Sequence, residues 1–164
     1  MKSVLISIHP EWCKRIGDGT KSVELRKRKP QLSTPFRCFI YETKAINHQK
    51  IIVDLDGIYP TTYAKGSGKV IGEFICDRIE YLDMDSVGVG FWENDKFNYI
   101  ADLGWNTGLT LGEFINYTEG KRVYGWHISK PVIYDKPKEL SDFYCRKLLT
   151  RPPQSWCYVE EVNE

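Results

Sequence analysis

The stretch VIGEFICDRIEYL, residues 70 to 82, constrains this chain more than any other. Apolar and polar side chains alternate along it with the period that puts successive residues on opposite faces of a sheet. The alternation restarts within the run, which predicts one long, curved strand bending at Gly72. Shorter runs of the same kind surround it. Residues 3 to 9 (SVLISIH) set Val4, Ile6 and Ile8 on one face and Leu5, Ser7 and His9 on the other. In KSVELRKR, Val23 and Leu25 point one way to pack, while Ser22, Glu24, Arg26 and Arg28 point the other way and present charge. Phe36 to Glu42, IIVDL, VYGWHI at 123–128, PVIY and Ser155 to Glu160 read as further strands.

Helices are few. Pro10 opens a short one with Trp12, Cys13 and Ile16 on its apolar side, and Gly17-Asp18-Gly19 stops it. Thr110 with Glu113 forms a capping box ahead of a second helix, which carries Leu111, Phe114 and Ile115 and ends near Gly120. YPTTYAKGSGK reads as a loop, residues 83 to 109 as a connection with one short helix near Phe97 to Leu103, and PKELSDFY as a helical turn. Short strands with no strand-helix-strand rhythm predict an α+β fold on a small mixed barrel flanked by two or more short helices.

At 164 residues and 41% hydrophobic, the chain suits one domain over residues 1–164, without repeats or an interior linker. No run of about 18 apolar residues exists, and MKSVLISIHPEW reaches His-Pro early, so a cytoplasmic protein with no membrane partner is expected. Cys13, Cys38, Cys76, Cys145 and Cys157 are scattered with no C-x-x-C pair, which suits reduced, buried thiols. Neither a metal nor a cofactor is expected, because His9, His48 and His127 lie far apart in sequence.

Charge is unevenly distributed. Residues 1–50 hold eleven Lys/Arg against four Asp/Glu, and the rest holds twelve against eighteen, so a net charge of +1 conceals a basic first third. Lys14, Arg15, Lys21, Arg26, Lys27, Arg28 and Lys29 supply most of it, a cluster of the kind phosphate backbones attract.

ISIHPEWCKRIGDGTKSVELRKR resembles the signature of the ASCH (activating signal cointegrator homology) family, whose pattern G-x-K-x-x-E-x-R is present as Gly19, Lys21, Glu24 and Arg26. VIGEFICDRI, TGLTLGEF and VYGWHIS follow in the family's order, and the tail, VIYDKPKELSDFY then RPPQSWCYVEE, is similar to phage and prophage-type members. The resemblance covers most of the chain except 43–68 and 83–106. It implies a PUA-like β-barrel whose cleft, lined by the motif strand, takes RNA or a modified nucleobase.

The residue chemistry agrees in kind. Lys21 offers a point charge at the cleft mouth, Arg26 a planar fork for phosphate or base, and Glu24 an acceptor for an exocyclic amine or a partner for both cations. Arg28 lies on the same strand face, His9 ends the preceding strand as a helix-start hydrogen-bonder, and Trp92 and Trp105 stand in the long connection as candidate stacking residues. One branch of the family hydrolyses acetylated cytidine with a Lys, a Thr three residues later and a distant Glu. Lys21 matches the first position, but Glu24 replaces the Thr and Thr107 the Glu, which disfavours amide hydrolysis. A hydrolase of modified nucleosides or of RNA, with Lys21 and Glu24 as its catalytic pair, is the rival to a binding module. A protein-interaction adaptor using the acidic remainder of the chain is the third.

Overall fold

The computed structural model describes residues 2–44, 51–54, 57–60, 65–84, 88–93, 96–99 and 107–162, with the backbone alone at 51–54, 57–60 and 92–93. The strands are β1 (Ser3–Ile8), β2 (Val23–Arg26), β3 (Phe36–Glu42), β4 (Ile51–Asp54), β5 (Gly57–Pro60), β6 (Val70–Met84), β7 (Val89–Glu93), β8 (Lys96–Tyr99), β9 (Val123–Lys138), β10 (Phe143–Cys145), β11 (Lys147–Leu148) and β12 (Trp156–Glu161). Helices α1 (Pro10–Gly17) and α2 (Leu111–Thr118) interrupt them.

The long strand is the hub. β9 pairs along one edge of β6, while β3 and then the β7–β8 hairpin occupy the other. From β6 the sheet runs through β3, β1, β12 and β10 to β11 on one side, and through β9 to β2 on the other. Among the described strands only β1 and β3 pair in parallel. The register between β6 and β9 shifts at Gly72, where an added Cβ would lie 2.3 Å from the Val132 carbonyl oxygen, so the bend expected there depends on the missing side chain. β9 continues through Pro131 because such shifts release the amide that proline lacks, so VYGWHI and PVIY are one strand.

Alternation along β1 feeds two cores. Val4, Ile6 and Ile8 join Phe74 and Trp126 inside the curled sheet, while Leu5 packs with Phe39 and Phe143 beneath the C-terminal segment. Trp126 meets Phe36 edge-on at 5.9 Å and Trp156 at 5.8 Å, so curvature brings β9 to β12. A third cluster, Val23, Leu25, Leu82 and Val123, packs under Phe114 of α2.

Where a barrel was expected, the hydrogen-bonded ladder stays open among the described residues: β2 does not pair with β12. The chain beyond β2 meets Pro30 and Pro35, which have no amide hydrogen to donate. Side chains span the seam instead: Trp156 Nε1 donates to the Arg28 carbonyl at 3.3 Å, the Gln31 amide donates to Tyr158 Oη at 2.7 Å, and Arg26 Nη2 donates to the Ser7 carbonyl at 2.6 Å. Two other expectations are corrected. Phe97 lies on β8 rather than a helix, because β7 supplies an antiparallel partner, and the rest of that segment, 100–106, lies outside the described residues. PKELSDFY contains only the 3-10 turn Leu140–Asp142, flanked by β9 and β10. Among the described residues no helix is long and apolar enough to cross a membrane.

Candidate nucleobase site

The open seam is where the motif sits. Pro10 at the first turn and Glu11 suit the start of α1, and Lys14 and Arg15 suit its end. The turn beyond is fixed by Asp18, whose Oδ1 accepts from the Thr20 hydroxyl at 2.6 Å and the Thr20 amide at 3.0 Å. Gly19, at φ +79°, supplies the left-handed step that delivers Lys21 to β2. Arg15 braces this turn through Thr20 and reaches the Gly108 carbonyl at 3.2 Å.

Glu24 lies opposite Trp126 in the β2–β9 ladder and is buried, so the face expected to present charge to solvent turns into the molecule. Its Oε1 stands 2.8 Å from Arg26 Nη1 and its Oε2 3.2 Å from Lys21 Nζ. The second is an ion-pair approach that fails hydrogen-bond alignment, leaving Oε2 without a hydrogen-bond partner. Lys21 is buried too, instead of reaching over the cleft mouth. Its Nζ donates to the Val23 carbonyl at 2.8 Å and to the Thr107 carbonyl, and stands 5.5 Å from the centre of the Trp12 ring. Burial pushes its pKa below the ordinary lysine value; Glu24 opposes that shift, while Arg26 and Arg15 add to it. Two carbonyl acceptors and an ion-paired carboxylate around one amine nevertheless suit an ammonium.

Around this triad lies a cavity of about 330 Å³. Trp12, Leu109 and Tyr117 give it apolar surface, and its polar lining includes Glu24, Arg26 and Thr43. Burial raises the pKa of Tyr117, whose hydroxyl donates to the Leu25 carbonyl at 3.1 Å. Among the described residues four buried side-chain polar atoms lack hydrogen-bond partners, and three belong to residues that line this cavity: Glu24 Oε2, Arg26 Nε and Thr43 Oγ1. The fourth is the indole nitrogen of Trp126. An unmet buried group costs about 1–3 kcal/mol, so such clustering is typical of a surface shaped for a ligand.

No protein-family model matches this sequence, and no curated protein matches it. Solved structures do. An ASCH protein from Zymomonas mobilis superposes with a TM-score of 0.61 at 21% identity, covering 96% of this chain and 87% of the other. A serine-to-alanine variant of the Zymomonas protein gives 0.62 at 20% identity over 96% and 88%, and a tyrosine-to-phenylalanine variant 0.61 at 21% over 98% and 91%. The chain has the ASCH fold.

Within that fold the expected residues separate. Lys21, Glu24 and Arg26 converge, and His9 joins them on the cavity wall. The His9 side chain does not cap α1; its carbonyl accepts from the Trp12 and Cys13 amides, each at 3.0 Å. Thr107 is wholly buried and meets Lys21 through its backbone, while its hydroxyl accepts from the Leu109 amide at 3.2 Å. Arg28 is exposed and does not line the cavity. Trp105 and His48 lie outside the described residues, and of Trp92 only the backbone, on β7, is described. Sequence reasoning placed Trp12 in the core and passed over Thr43, Tyr117 and Gln154. Of these, Trp12 alone carried a signal, its position inside the signature helix.

Proposed function

We propose that this chain is an ASCH-family module that binds a nucleobase, free or within RNA, in the cavity around Glu24 and Arg26. The clustering of three unpartnered polar atoms on residues that line one cavity carries the reading. A carboxylate oxygen accepts from an exocyclic amine, the adjacent guanidinium N–H donates to a ring nitrogen or carbonyl, and the Trp12 and Tyr117 walls suit a flat, apolar-faced ring. About 330 Å³ falls at the small end of ligand pockets, a size that suits a base and its sugar. The narrower likeness to phage and prophage-type members is supported by the tail sequence alone.

One observation favours the hydrolase: a buried amine of lowered pKa beside a carboxylate is a frequent catalytic arrangement. Against it, Lys21 already donates to the Val23 and Thr107 carbonyls and is ion-paired with Glu24, and the Thr107 hydroxyl does not line the cavity. Mass spectrometry of the protein with a panel of modified nucleosides and short RNAs, read for both binding and turnover, separates the two. The binding reading expects retention without turnover, and Glu24→Gln to weaken retention by about 1–3 kcal/mol. Hydrolysis of acetylcytidine or RNA that falls roughly a hundredfold in Glu24→Gln at unchanged affinity would establish the enzyme instead.

A further inference from the structure

A second cavity, of about 410 Å³, adjoins the first. Ser7, Thr43 and Gln154 line both, so the two chambers meet along a rim three side chains wide. The shared Thr43 hydroxyl is one of the unpartnered atoms.

The chambers differ in chemistry. The first contains a carboxylate between two cations. Among the described residues the second is lined by no carboxylate and Lys44 is its single charged side chain, with Thr150 a further hydroxyl and Pro152 and Pro153 forming one wall. Glu42, the nearest acid in sequence, is turned to the Ser67 amide, from which its Oε2 accepts at 2.6 Å.

Lys44 is exposed, yet its stem is placed. It lies across Gly68, where an added Cβ would come within 2.2 Å of Lys44 Cε and where φ is +70°. Gly66 presses its backbone against the Thr43 carbonyl, 1.9 Å from where a Cβ would stand, which fastens the 65–69 segment to the end of β3. Opposite, the Ser7 hydroxyl donates to the Pro153 carbonyl at 2.7 Å and fixes the proline wall. A lysine and hydroxyls with no competing acid among the described lining residues form a surface for an anion.

Resting on the nucleobase reading, we infer that the second chamber takes the phosphate of a nucleotide whose base fills the first, with the sugar crossing the Ser7–Thr43–Gln154 rim. The ligand is thus a phosphate-bearing nucleotide, either a free monophosphate or one unit of a strand, rather than a bare nucleoside.

Calorimetric titration of the intact protein with cytidine and adenosine, their 3′- and 5′-monophosphates, and the dinucleotides CpA and ApC tests this at two salt concentrations. Phosphate should raise affinity about tenfold over the nucleoside. Lys44→Ala should remove that gain, leave nucleoside affinity within about twofold, and reduce the salt slope by about one phosphate contact. Lys44→Glu should go further, binding the monophosphate more weakly than the nucleoside. A dinucleotide preferred over both monophosphates places the phosphate in a strand, whereas a monophosphate bound at least as well identifies a free nucleotide. Equal affinity for nucleoside and monophosphate, or a Lys44→Ala effect equal on both or absent, overturns the phosphate chamber and leaves the base site standing. Failure of every probe to bind the wild type overturns both.

Discussion

Glu24 is the residue on which the site depends electrically, since it stands between the Lys21 ammonium and the Arg26 guanidinium with all three largely out of water. Removing it leaves two buried cations facing each other, and breaking a buried pair from one side costs about 3–5 kcal/mol. Glu24→Ala should therefore lose about that much stability in urea unfolding; a loss below about 1 kcal/mol would mean that water already reaches the cations. Lys21 supplies a pH signature. Its folded pKa is below the ordinary 10.5, so the folded chain binds this proton less tightly than the unfolded one. The ammonium therefore opposes folding below the lowered value, and stability from this group rises as pH climbs from there toward 10.5. Wild-type unfolding free energy should rise with pH across that interval more steeply than that of Lys21→Met. Parallel curves would show a lysine of ordinary pKa.

At the scale of elements, the two short helices make separate demands. The capping box read from the sequence is present in α2: Thr110 Oγ1 accepts from the Glu113 amide at 3.3 Å, and Glu113 Oε2 accepts from the Thr110 amide at 3.0 Å. Thr110→Ala should cost about 1 kcal/mol by thermal or urea unfolding, and no change would show that tertiary packing through Phe114 alone holds the helix. α1 depends on a neighbour from across the chain. Gly108 sits at φ +84° with Trp12 Cζ3 2.6 Å from where its Cβ would be, so Gly108→Ala should cost about 1–3 kcal/mol in urea unfolding and displace the aromatic wall of the cavity. Unchanged stability and Trp12 fluorescence would count against that contact. These elements also mark what could be read in advance. β1, α1, β2, β3, β6 and α2 follow from local alternation, proline and caps, signals carried within a few residues. Continuity of β9 through Pro131 depends on the register it shares with β6, and burial of Glu24 depends on Trp126 arriving from the opposite strand. Thr43 and Gln154 belong to the site only because the sheet curls, which no local pattern encodes.

For the whole molecule, the basic first third is a smaller electrostatic surface than its count suggests. Lys21 and Arg26 hold Glu24, Arg15 braces the Thr20 turn and Gly108, Lys27 meets Glu119 at 3.1 Å, and Lys29 lies over Tyr81 and Tyr124. Lys14 and Arg28 remain exposed with no ion pair among the described residues. Affinity for a short RNA should accordingly fall with salt as for about two to three phosphate contacts, not the six or more implied by charge counting. A slope of six would show that the internal partners release their cations on binding. The pairing of β1 with β12 acts earlier in the protein's life. Ser3 opposes Val159, so at roughly 5–20 residues per second the ribosome delivers the partner on the order of 10–30 s after the strand it must cover. Through that interval Val4, Leu5 and Ile6, wholly buried in the finished fold, belong to a strand with an uncovered edge. Nascent chains stalled before residue 156 should be cleaved by protease within β1 and held by chaperones, whereas released chains should resist; equal resistance in both would show that β3 alone shelters the strand.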